Sequence, residues 1–218
     1  MDALEAIRRR RSVRSYTDRP VDEADLDQLV RLALLAPTGG MAQAWSLLVV
    51  REPERRAALA ELVIAGGGAY FASVRPARPD HGPEEHRRWG LEYANEVLGS
   101  YRQVPVWILG LVVPRNMFPP EGRHLEALAD EMSVAFAMEN LFVAARAKGL
   151  GTVPTVFHWY REPELRELVG LPEEVRIPVL TPVGYPTEFP VGLPPRLEEQ
   201  RRPWRTLVHD DRWGNTRA

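Results

Sequence analysis

A chain of 218 residues with 44% hydrophobic content is long enough to bury a substantial core, as one domain or two small ones. A formal charge of -2 and a pI near 6.2 provide no field to hold a nucleic acid or an anionic membrane, and without cysteine there are no disulfides, thiolate metal sites or cysteine nucleophile. Redox chemistry in such a chain requires a bound cofactor.

Residues 2–10 form a short helix. A second helix begins after Pro20, where Asp22 caps the free amides and Leu26, Leu29, Val30, Ala33 and Leu34 share one face; Pro37 and Gly39-Gly40 end it. WSLLVV at 45–50 reads as a buried strand, followed by a charged amphipathic helix over 53–64 and a glycine break at 66–68. Residues 72–84, with three prolines and mixed charge, look like a lid or insertion, and helical character returns over 84–101 with Trp89, Tyr93, Val97 and Leu98. VPVWILGLVV at 104–113 is the strongest strand, apolar throughout as a strand covered on both faces should be.

The longest helix spans 123–147, and its part from 132 to 145 is apolar nearly all round, the mark of a core or a subunit interface. Gly149 to Gly151 stop it; 152–157 is a strand, 163–169 a short helix and 176–183 another strand. The arm over 190–218, with Arg196, Arg201, Arg202, Trp204 and Arg205, has no period and gains its order by packing on something else, a second subunit being the natural partner. Helices alternating with few, well-separated strands make an α+β or α/β sandwich around a small sheet. No apolar run reaches the roughly 18 residues of a membrane span, and MDALEAIRRRR has no secretory-leader pattern, which together point to a cytoplasmic protein.

Chemistry concentrates at the first helix end, where arginine occupies positions 8, 9, 10, 11 and 14 with Ser12 among them. Guanidinium forks match phosphate oxygens bidentately and a hydroxyl completes such a shell; a solvated helix end would carry the same charges, so the run needs company. The histidines show no metal-ligand spacing, and Gly66-Gly67-Gly68 lacks the lysine and hydroxyl of a phosphate-binding loop. Trp45 and Trp107 read as core. Trp89, Tyr93 and Tyr101 suit either lid packing or stacking on a substrate.

The company is IRRRRSVRSYTDRPV at 7–21, APTGGMAQAW at 36–45, ENLFVAARAKGLGTVPT at 139–155 and GYP at 184–186. Together these resemble the FMN-dependent nitroreductase family over nearly the whole chain, most weakly from 66 to 104. The resemblance implies a single FMN-binding domain over 1–218, with 66–104 a variable lid region and 190–218 a C-terminal arm. Its fold would be an α+β three-layer sandwich with a small central mixed or antiparallel sheet, assembled as an intertwined homodimer.

Carried over by residue, the resemblance implies that Arg10, Ser12 and Arg14 hold the FMN phosphate and ribityl chain, with Arg11 contributing and Arg201 or Arg202 closing the site. The turn at Pro37, Thr38 and Gly39, continuing through Met41 and Gln43, would come from the opposite subunit. The stretch from Gly151 through Thr152, Val153, Pro154 and Thr155 would turn backbone amides toward the flavin N5 edge. Met41 stands where the family commonly has asparagine, and Ala44 where it has proline.

The implied activity is hydride transfer from NADH or NADPH through FMN to a nitroaromatic, quinone or flavin, donor and acceptor taking turns. FMN carries the chemistry, so no catalytic side chain and no metal are expected. The same motifs serve reductive dehalogenation, substrate oxidation by dioxygen and flavin fragmentation of the dimethylbenzimidazole-synthase type. A non-enzymatic polyanion-binding module would use the same arginines but is disfavoured by the overall charge.

Overall fold

The computed structural model describes residues 1–77 and 81–217, apart from the Arg196 side chain; residues 78–80 of the expected lid lie outside the described residues. Four strands form one antiparallel sheet: β1 (Trp45–Val50), β2 (Val106–Val112), β3 (Gly151–Thr152) and β4 (Arg176–Gly184), in the order β1-β2-β4-β3. Helices α3 (Pro53–Val74) and α4 (Pro83–Leu98) lie over one face, and α2 (Glu23–Ala33) and α5 (Arg123–Ala147) over the other. This is the expected three-layer α+β sandwich.

Strand β2 explains the layering, because alternate side chains of a strand point to opposite faces. Trp107, Leu109 and Leu111 join Leu59, Val63, Ile64 and Leu98 of α3 and α4, whereas Val106, Ile108 and Val112 join Leu29, Met138 and Leu141 of α2 and α5. All seven residues of β2 are buried, so its unbroken apolarity records two cores. Gly110 lets α5 approach: a Cβ there would lie 2.8 Å from Val134 Cγ1.

Local rules set several ends. The Asp22 carboxylate accepts the amides of Ala24 and Asp25 and starts α2. Lys148, at the end of α5, places Nζ 2.6 Å from Asp25 Oδ1 and ties the two helices of that layer together.

Three expectations need correction. Helix α3 does not stop before Gly66 but runs through all three glycines to Val74. Glycine costs about 1 kcal/mol in a helix, yet here it permits contacts that no other residue could make: a Cβ on Gly66 would meet the Phe157 carbonyl oxygen at 2.1 Å, and one on Gly68 the Leu91 Cα at 2.9 Å. Although α3 has the length and apolarity of a membrane span, this glycine seam is packed inside the protein. The strand expected over 152–157 shrinks to Gly151–Thr152, because Pro154 has no amide to donate, and Thr155 rejoins β4 through an isolated bridge to Leu180.

The stretch of α5 expected to be buried on several sides instead leaves Met132 and Phe136 exposed, in line with Leu125 and Leu128. Tyr101 does not face a substrate; it is buried edge-on between Tyr16 and Trp107, with ring centroids 5.9 and 5.5 Å away. Of the two tryptophans read as core, Trp107 is fully buried and Trp45 partly so.

The glycine seam yields a stability prediction. Gly66→Ala should destabilise the fold by about 1 to 3 kcal/mol, overpacking outweighing the gain in helix propensity. Gly99→Ala, at φ -56° with its nearest neighbour 3.7 Å away, should be neutral or slightly stabilising. Urea titration of both variants measures this; equal midpoints would refute the packing role of Gly66.

Candidate functional site

The site begins where α1 (Ala3–Arg9) ends. The Arg10 amide closes the helix on the Ala6 carbonyl at 2.8 Å, and the Arg11 guanidinium folds back to donate to the carbonyls of Arg8 and Arg10 at 2.7 and 2.8 Å. The chain then becomes extended. Ser12 bridges Thr152 in parallel, and the Val13 amide donates to the Thr152 carbonyl at 3.0 Å. Gly151 makes room, since a Cβ there would come within 2.8 Å of Val13 Cγ1.

Further along, the Tyr16 hydroxyl donates to the Val13 carbonyl at 2.9 Å, while Ser100 accepts the Tyr16 amide at 3.2 Å and donates to the Arg14 carbonyl at 3.0 Å. Burial, and then the neighbouring Tyr101, push the Tyr16 pKa well above its ordinary value. This tyrosine is a neutral strut.

With its backbone so held, the segment turns Arg10, Arg11, Ser12, Arg14 and Ser15 into a cleft of about 1010 Å³. Gly192, Pro194, Leu197 and Arg201 of the C-terminal arm, which contains α7 (Pro195–Glu199), supply the opposite wall. Arg8, Glu188 and Glu198 complete the charged lining. Arg10 Nε lies 3.6 Å from Glu139 Oε1, and Arg201 Nη1 lies 3.5 Å from Glu198 Oε1.

Behind the cleft, Arg146 of α5 donates Nε to the Arg9 carbonyl at 3.1 Å and lays its guanidinium over Phe189, 3.7 Å from the ring centroid. Burial first, then the charges of Arg9 and Arg11, pull the Arg146 pKa below the usual guanidinium range. Arg146 is thus a partly desolvated guanidinium that feels Arg9 and Arg11 as like charges. A separate groove of about 770 Å³ between α3, α4 and α6 (Glu162–Val169) is lined by Leu62, Leu91 and Leu168 and has Arg161 as its basic residue. Anion chemistry belongs to the arginine cleft.

Of the residues singled out in the sequence, Arg10, Arg11, Ser12, Arg14 and Arg201 come together, while Arg202 does not line the cleft. Thr152 stands behind Ser12. The Val153 amide is taken by Thr181 Oγ1 at 3.1 Å and the Thr155 amide by the Leu180 carbonyl at 2.9 Å, so these amides serve the sheet.

The turn carrying Pro37, Thr38, Gly39, Met41 and Gln43 lies elsewhere. Gly39 sits against Ala129 on α5, whereas the cleft meets α5 at Glu139 and Arg146. At 1.5 Å per helical residue, Glu139, which pairs with Arg10, is about 15 Å along the axis from Ala129, and Arg146 about 25 Å. Within one chain this turn and the arginines meet different parts of one helix. The turn is also strained: Met41 and Gln43 hold φ values of 58° and 47°, a region that asparagine tolerates better than methionine.

Sequence reasoning missed Arg8, Ser15 and Glu188 in the lining, and the Arg146–Phe189 brace. The first two lay within the singled-out motif; the brace carried no local signal, because its partners are far apart in the chain and meet only in the fold.

Comparison with known proteins adds four likenesses. The family model described as Nitroreductase family matches residues 7–185. A Thermus thermophilus protein named NADH dehydrogenase is 29% identical, over 86% of this chain and 88% of its own length. Iodotyrosine deiodinase 1 of Rattus norvegicus is 28% identical, over 84% of this chain and 61% of its own length. Among solved structures, the NADPH:FMN oxidoreductase of Vibrio harveyi complexed with NAD+ superposes with a TM-score of 0.70 at 18% identity, covering 97% of this chain and 77% of that one.

The Arg10–Glu139 pair leads to a prediction. A phosphate entering the cleft competes with this half-exposed carboxylate, a contact worth at most about 1 kcal/mol. Glu139→Gln should therefore tighten FMN binding by about two- to fivefold, read from quenching of FMN fluorescence. Weakened binding would show that Glu139 orients Arg10 rather than competing for it.

Proposed function

The chain belongs to the nitroreductase family, and from that premise we propose that it is a cytoplasmic, homodimeric FMN-dependent oxidoreductase that moves electrons from NADH or NADPH to an electron-poor small molecule. The observation that carries this reading is the cleft in which Arg10, Ser12, Arg14 and Arg201 converge. Guanidinium and hydroxyl donors with an excess of positive charge fit a terminal phosphate monoester, the group that distinguishes FMN from FAD. Arg10, Arg14 and Arg201 would pair with the phosphate and Ser12 would donate to it, while Arg11 keeps the helix end closed behind them.

When bound, FMN supplies the redox chemistry: two electrons and a proton arrive as hydride from NAD(P)H and leave, with a second proton from solvent, to turn a nitro group into nitroso plus water or a quinone into hydroquinone. The protein contributes position and electrostatics. Thr152, Val153, Pro154 and Thr155 hold the edge of the sheet in register beside Ser12, which keeps the floor of the site rigid.

The second subunit supplies what one chain lacks. Pro37, Thr38, Gly39, Met41 and Gln43 form a turn near Ala129, apart from the part of α5 that meets the arginines, and in this reading the partner's copy of the turn completes the cleft. The exposed stripe of Leu125, Leu128, Met132 and Phe136 on α5 provides an apolar face for that partner, and Trp204, Leu207 and Trp213 of the arm, the last 90% exposed, would be buried against it. Reductive dehalogenation is the second reading, favoured by the likeness to iodotyrosine deiodinase 1; dioxygen-dependent oxidation and flavin fragmentation would use the same cofactor site.

The visible spectrum of the purified protein tests the premise: an FMN spectrum with released FMN is expected, and failure to bind added FMN would refute it. Arg10→Ala combined with Arg14→Ala should weaken FMN binding by at least a hundredfold, given about 1.5 to 3 kcal/mol for each charge-assisted contact, and leave the fold intact by circular dichroism. With one cofactor and a shared pocket, NAD(P)H and a quinone should give parallel double-reciprocal lines; intersecting lines would mean that both bind at once. A flavin that NAD(P)H does not bleach anaerobically would favour the alternative chemistries. Sedimentation of the FMN-loaded protein should give a dimer, and a loaded monomer would contradict the shared site.

A further inference from the structure

Helix α4 leads out of the arginine cleft. Val97 lines that cleft, and on the same helical face Tyr93 and Trp89 follow one and two turns toward the helix start. The Trp89 and Tyr93 rings stack with centroids 5.7 Å apart and planes within 13°, and Phe71 of α3 meets Tyr93 edge-on at 4.9 Å. Tyr93 and Trp89 thus stand on the face of α4 that Val97 turns to the cleft, about 6 and 12 Å along the helix from it.

Arg75, at the C-terminus of α3, crowns these rings. Its guanidinium lies 4.7 Å from the Tyr93 centroid and 5.7 Å from that of Trp89, and Nη2 donates to the Tyr93 hydroxyl at 3.3 Å. The residue is exposed, and among the described residues no carboxylate lies within ion-pair distance of it, unlike Arg102 or Arg166, each bound to a glutamate. Stacking occupies a face of the guanidinium and orients it, while most of its edge N–H donors remain directed to solvent. A pre-oriented cation beside stacked rings matches a planar aromatic molecule bearing a carboxylate or phenolate.

Resting on the reading that the neighbouring cleft holds FMN, we propose that Arg75, held by Tyr93 and Trp89, is the acceptor-recognition element of this enzyme and selects planar aromatic acceptors with an anionic substituent. His86 stacks on Trp89 at 5.4 Å and Arg75 lies over Tyr93, so the ring of the acceptor packs against the edges of this stack and its anionic group pairs with the Arg75 fork. Arg75 touches the substituent and takes no part in electron transfer.

The test compares 4-nitrobenzoate with 4-nitrobenzamide, which share a ring and a nitro group but differ in charge. The FMN-loaded wild type should prefer the benzoate in kcat/KM, and Arg75→Gln should reduce that preference about tenfold, mainly through KM, the loss expected for one charge-assisted pair. Arg75→Lys, which keeps the charge without the planar fork, should restore part of it. A second readout needs no turnover: calorimetric titration of the oxidised, loaded enzyme with benzoate should show binding that Arg75→Gln abolishes, with no comparable change for benzamide. A preference ratio unchanged by Arg75→Gln in an enzyme that reduces both acceptors, or benzoate binding that survives the substitution, overturns the assignment to Arg75 alone. A chain that binds no FMN overturns the cofactor reading and this inference with it.

Discussion

The hydrogen bond from the Val13 amide to the Thr152 carbonyl, at 3.0 Å, is the contact on which the candidate site depends. It joins the segment after α1 to the edge of the sheet and thereby turns a run of like charges into one wall of a cleft. Its neighbours depend on it in turn. Gly151 has no side chain because Val13 occupies the space, Tyr16 reaches back to the Val13 carbonyl, and Ser100 locks the backbone between Arg14 and Tyr16. A free arginine-rich segment would spread its charges into solvent, whereas this one holds Arg10, Arg11 and Arg14 along one cleft.

Arg146 braces the arginine segment against the C-terminal part of α5, while the strained turn around Met41 sits near Ala129 on the same helix. The two regions are held apart by the length of that helix. The apolar stripe on α5 and the tryptophans of the arm are exposed in the single chain, and the proposed homodimer would cover them.

Beside the arginine cleft, to which Val97 of α4 contributes, α3 and α4 form a closely packed pair. The glycine seam draws these helices into close contact, and the same contact sets Phe71, Tyr93 and Trp89 side by side. The packing that the glycines permit thus also brings Phe71, one turn further along the same face of α3, against Tyr93.

What the sequence determined by itself was whatever rests on neighbours in the chain. The unbroken apolarity of β2, the Asp22 cap, the length of α5 and the clustering of Arg10, Ser12 and Arg14 were all legible, since each is a relation among residues near one another in the chain. The course of α3 through Gly66, Gly67 and Gly68 was not, because their cost in a helix is local and their benefit lies in contacts with Phe157, Leu98 and Leu91. Nor was the commitment of the Val153 and Thr155 amides, whose acceptors Thr181 and Leu180 lie in another strand. Only the tertiary structure decided that Arg201 rather than Arg202 faces the cleft, that Arg146 braces it, and that Arg75 stands over Tyr93 and Trp89. Each depends on distances set by packing between distant segments, and the order of residues along the chain does not encode such distances locally.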